Sequence, residues 1–141
     1  HEYDDLTAWL RTIDSSVFPA SKPKIILAHG TTQDFSSGST LDDEYDVANF
    51  IDLARLPENE FDYIALGDWH GTKKVGNKAW YAGTPEIDRF IKGAENKPGH
   101  VLLVEADCKK APVVTEIRTT KVEWYEKEFE FIDENSLNIF I

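Results

Sequence analysis

The run Tyr63-Ile64-Ala65-Leu66, broken by Gly67 and followed at once by Asp68-Trp69-His70-Gly71, constrains this chain more than any other stretch. A short apolar run that stops at a glycine has the form of a buried strand. An aspartate and a histidine one residue apart then stand at its carboxyl end, and both are metal-ligating types. Lys24-Ile25-Ile26-Leu27-Ala28 has the same form and runs straight into His29-Gly30. Open α/β sheets place their chemistry at the carboxyl ends of their strands. The two elements therefore predict a layered α/β fold in which His29, Asp68 and His70 face one pocket.

The rest of the chain divides into two halves of different character. Leu6, Trp9, Leu10 and Ile13 repeat at helical spacing and predict a helix over residues 3–12, stopped by the prolines that follow. A second helix is predicted over residues 42–56, with acidic residues in its first turn and Pro57 just beyond its end. The polar stretch 31–40 suits a rim or lid. After Gly71 the pattern turns to β-branched and aromatic runs, predicting strands over 79–82, 100–106, 112–119 and 121–125, with a hairpin turn at 107–111. The expected class is thus α/β in a layered α+β sense, with mixed and antiparallel strands, in a single domain over residues 1–141.

Composition narrows the function. Hydrophobic residues are 41% and charged residues 29% of 141, which is globular rather than disordered. A formal net charge of -11 argues against this segment gripping nucleic-acid backbones unaided. A metal site could still hold a phosphate locally. Cys108 is the single cysteine, so no internal disulfide forms and a reducing, cytoplasmic setting is expected. No apolar run has the length of a membrane span. The chain begins at His1, holds no methionine and opens on a helix pattern, so a fragment of a longer protein is expected.

Three motifs in order, Ile26-Leu27-Ala28-His29-Gly30, Asp62 to His70, and Trp80-Tyr81-Ala82-Gly83-Thr84-Pro85-Glu86, resemble the carboxyl-terminal half of a calcineurin-like metallophosphoesterase domain, closest to the SbcD-type DNA-repair exonucleases. The resemblance covers roughly residues 24 to 106. It implies half of a four-layer αββα sandwich, and a hydrolase that acts on phosphate esters, DNA among them, through two divalent ions. Manganese is the first choice of metal, with iron, zinc or magnesium as others. It implies that His29 is the lone histidine ligand and His70 the second histidine of the last motif, with Asp68 standing where the family's first histidine is usual. Gly83 and Thr84 would line the phosphate pocket, and an ATPase partner subunit accompanies relatives of this branch. The family's D-x-H, G-D and G-N-H-[DE] motifs are missing, so no catalytic acid or base is assigned and the isolated chain should be nearly inactive. Its uncovered faces would favour self-association, including a homodimer.

Each assignment has a rival. Asp68 could form an Asx turn instead of holding a metal, and Gly83 to Pro85 could merely shape a turn. A phosphatase or nucleotide hydrolase of the same superfamily, or a non-catalytic binding or scaffold module, would carry the same residues.

Overall fold

A computed structural model describes residues 12–32, 50–57, 59–90, 96–130 and 132. Six strands organise them: β1 (Ile25–His29), β2 (Tyr63–Gly67), β3 (Lys73–Lys74), β4 (Ala79–Tyr81), β5 (His100–Glu105) and β6 (Val113–Arg118). The first four make a mixed sheet in the order β1-β2-β4-β3, and β5 and β6 pair in a separate two-stranded sheet. β1, β2 and β4 run parallel, in a register that sets His29 opposite Gly67 and Leu66 opposite Tyr81. β3 returns antiparallel to β4. Parallel neighbours end on the same side of a sheet, so the segments after His29, Gly67 and Tyr81 all emerge together. The arrangement is α/β-like, with mixed and antiparallel strands as expected.

The core gathers Ile51, Leu66, Ala79 and Tyr81, with Ile13, Ala28, Leu53, Leu56, Ile64 and Val75 packed against them. β2 lies between β1 and β4 and buries Tyr63 and Leu66. β1 alternates instead: Ile26 and Ala28 are half-buried, while Leu27 is 86% exposed. Asp62, itself buried, joins the two sheets. Its carboxylate accepts the backbone N–H of Lys24, ahead of β1, at 2.9 Å and that of Lys109, in the β5–β6 turn, at 2.6 Å.

Several expectations are corrected. The end of the helix predicted over 42–56 is not α-helical: Phe50 bridges to Thr31, and the Ile51 N–H bonds the Thr31 carbonyl at 2.7 Å. The Asp52 side chain then caps the Ala54 N–H at 3.0 Å and opens a 3-10 turn at Leu53–Arg55. A local carboxylate that captures a backbone N–H competes directly with helix bonding. The rest of that prediction, nearly all of the helix over 3–12, most of the loop over 31–40 and the tail from 133 lie outside the described residues.

The strand predicted over 121–125 has no ladder. The Glu86 carboxylate takes the Lys121 N–H at 3.0 Å and the Val122 N–H at 3.1 Å, so a side chain occupies the donors that a neighbouring strand would need. β3 was not expected, since two lysines carry no strand signal. The turn at 107–111 is present, with Lys109 at φ 56° and the Lys110 N–H on the Asp107 carbonyl at 3.3 Å. No helix among the described residues is long and apolar enough to cross a membrane.

Candidate metal centre

His29 ends β1, and its ring lies over Gly67 of β2. A Cβ at position 67 would stand 2.7 Å from His29 Nδ1, so glycine is what lets the imidazole close over the strand. Asp68 follows at φ 105°, a region that L-residues rarely adopt. That turn sets its Oδ1 3.6 Å from His29 Nε2. Among the described residues no backbone N–H bonds the Asp68 carboxylate, as an Asx turn would require.

Metal–ligand bonds of about 2.0–2.6 Å put two donors of one ion roughly 3–4 Å apart. The His29–Asp68 pair fits that span. An imidazole and a carboxylate are also the donor types that divalent transition ions accept.

His70 is placed differently. Its Nδ1 lies 2.8 Å from Asp88 Oδ2, and Arg89 Nη2 lies 2.9 Å from Nδ1, 3.3 Å from Nε2 and 3.2 Å from Asp88 Oδ2. A guanidinium only donates. The consistent assignment has Nδ1–H donating to Asp88 and Arg89 donating to Nε2, so both ring nitrogens are engaged. Arg89 first, and His70 second, hold the Asp88 carboxyl below the usual carboxylate range. Neither Asp88 nor Arg89 was singled out from the sequence. Their contact with His70 spans 18 and 19 residues and leaves no periodic or motif signal.

His29, Asp68, Trp69, His70, Gly83 and Thr84 nevertheless line one cleft of about 630 Å³. Gly83 sits at φ 76°, and a Cβ there would approach the His70 carbonyl oxygen to 2.7 Å. Glycine is required on both counts. The next residue, Thr84, donates its N–H to the same carbonyl at 2.9 Å. That donor is therefore spent on holding the His70 segment. Tyr81, fully buried, reaches across from β4 and donates its hydroxyl to the Gly30 carbonyl at 2.6 Å, which fixes the turn after His29. Burial, above all, raises its phenol pKa.

Glu86, two residues beyond Thr84, ties this segment to the chain after β6. Besides Lys121 and Val122, it accepts the Ile87 N–H at 3.1 Å and the Thr120 hydroxyl. Those donors, Thr120 foremost, hold its carboxyl down at about 2.

The structure thus brings His29 and Asp68 together and sets His70 on the same cleft wall but on other partners. No group of three His, Cys, Asp or Glu side chains among the described residues could hold a metal ion as placed. Compared with known proteins, the chain matches no family model and no curated relative.

Proposed function

We propose that this chain is the carboxyl-terminal half of a four-layer αββα phosphoesterase domain whose parent hydrolyses phosphodiesters, DNA being the leading substrate, with two divalent ions. The observation that supports this best is the His29–Asp68 pair, an imidazole and a carboxylate 3.6 Å apart at the adjoining carboxyl ends of two parallel strands. The φ of 105° at Asp68 adds to it, since backbone held in a rarely populated region tends to mark functional sites. Divalent ions there would supply Lewis-acid chemistry, neutralising phosphoryl charge and making water a better nucleophile. The chain's own part is geometric. Gly67 leaves room for the His29 ring, Tyr81 fixes the turn behind it, and Gly83 with Thr84 holds the carbonyl of His70. His70 joins the ligand set once its Nε2 is released by Arg89. The three motifs of this chain account for only part of the ligand set that two ions need.

The test is to assay the parent protein and its Asp68→Asn variant on a generic phosphodiester with manganese, magnesium and zinc. Loss of a ligand should lower turnover by more than the roughly 10- to 100-fold typical of groups that only orient a ligand. Asp68→His should keep activity and move the metal preference toward zinc or iron. Unchanged activity and metal ranking in Asp68→Asn would remove Asp68 from the site.

The Arg89–His70 contact favours a second reading, a binding or scaffold module in which an arginine occupies the imidazole and no ion is held. Isothermal titration of the parent with manganese separates the two. Binding that Asp68→Asn weakens supports the enzyme, and no binding at all supports the scaffold.

A further inference from the structure

A second cleft, of about 530 Å³, opens at the other end of the mixed sheet. Lys24 immediately precedes β1, Asp62 precedes β2 and Lys78 precedes β4, so this cleft lies at the amino ends of the strands that carry His29 and Asp68 at their carboxyl ends. Lys22 and, from the β5–β6 turn, Lys109 complete a set of four ammonium groups around it. In a chain of net charge -11 such a concentration of cations runs against the overall sign.

The two carboxylates in the same wall offset only part of it, since four lysines stand against Asp62 and Glu60 and a net positive charge remains. Asp62 spends both oxygens on the backbone N–H groups of Lys24 and Lys109. Glu60 receives the Ser15 hydroxyl and lies 3.5 Å from Lys24 Nζ. Lys24 also donates to Ser15 Oγ at 2.9 Å, and Lys78 Nζ donates to the Phe61 carbonyl at 2.9 Å, an acceptor without net charge. The ammonium groups of Lys22 and Lys109 make no hydrogen bond or ion pair among the described residues, although both backbone N–H groups are bonded, to the Pro19 carbonyl and to Asp62. Lys109 acts on Glu60 only through space.

The frame beneath these lysines is firm. Asp62 pins the backbones of both Lys24 and Lys109, so two of the four side chains spring from fixed points on different elements. The excess of the four lysines over the two carboxylates borders a space within the roughly 300–1,000 Å³ range of small-molecule sites. Lysine ammonium groups are compact point charges suited to phosphate oxygens.

We infer that this cleft binds a small polyvalent phosphate-bearing anion, of the diphosphate class, at a site separate from the His29–Asp68 cleft. The site stands whether or not the phosphoesterase reading does, because the two clefts share no lining residue.

Titration of the chain with inorganic pyrophosphate, at low ionic strength and with chelator present to exclude divalent ions, tests it. One saturable site is expected by calorimetry, weakened at least tenfold when Lys22→Gln and Lys109→Gln are combined. The charge-matched pair Lys121→Gln with Lys127→Gln, on the exposed segment after β6, should leave it unchanged. Amide resonances of Lys24 and Lys109 should move on binding, and those of His29 and Asp68 should not. No saturable binding, equal weakening by both double variants, or shifts confined to His29 and Asp68 would each overturn the assignment. Circular dichroism checks that all variants remain folded.

Discussion

The Tyr81 hydroxyl and the Gly83 backbone show how much of the cleft depends on the turns that hold its wall. Removing the hydroxyl leaves the buried Gly30 carbonyl without that donor. Tyr81→Phe should therefore cost about 1–3 kcal/mol, the range for an orphaned buried polar group, read as a lower urea midpoint with an unchanged slope. Gly83→Ala meets two obstacles together, φ 76° and a carbonyl oxygen 2.7 Å from the new methyl. The loss should exceed about 1 kcal/mol, the scale of an alanine forced into the left-handed region, and the His70 ring resonances should shift with it.

At the scale of elements, Glu86 replaces a strand. Four donors around one carboxylate lower its pKa from 4.5 to about 2. A carboxyl depressed in the folded state adds stability that is complete above its unfolded value and disappears as the pH falls through the folded one. The melting temperature should thus drop between about pH 4.5 and pH 2 in part through Glu86. Glu86→Gln should melt lower than wild type near neutrality and converge with it toward pH 2. Parallel behaviour of the two proteins across that range would exclude this role.

The same site explains what sequence reading captures and what it misses. β1, β2, β4, β5, β6 and the turn after Asp107 follow from apolar runs bounded by glycine, proline or charged residues, and each is present. Val122, Trp124 and Tyr125 have strand-like composition, but Glu86, about 35 residues upstream, takes the backbone N–H groups of Lys121 and Val122 where that strand would begin. The helix signal over 42–56 fails in the same way where Asp52 captures a nearby N–H and Phe50 bridges to Thr31. For the site, the ends of β1 and β2 were legible because parallel strands finish at one side of a sheet. The Asp88–Arg89 hold on His70 was not, because side-chain pairing across 18 residues has no periodicity.

For the whole molecule, the described residues expose a considerable apolar surface. Val101 and Leu103 of β5 share a face with Val113 and Ile117 of β6 by register, and Leu103 is 54% and Val113 59% exposed. Leu27 of β1 is bare as well. Contiguous apolar faces of this kind drive association. Light scattering over a concentration series should show the mean mass rising, and Leu27→Lys with Leu103→Lys should suppress the rise. A mass that stays monomeric throughout would indicate a self-sufficient fold.

The position of β1 gives the four-stranded order a further meaning. Among the described residues β1 pairs only with β2, so its other flank offers a row of backbone donors and acceptors to any extended segment that reaches it. A strand added there would cover Leu27 and lie alongside the backbone of His29 in one step. Completion of the sheet and ordering of the backbone that carries His29 would then be a single event.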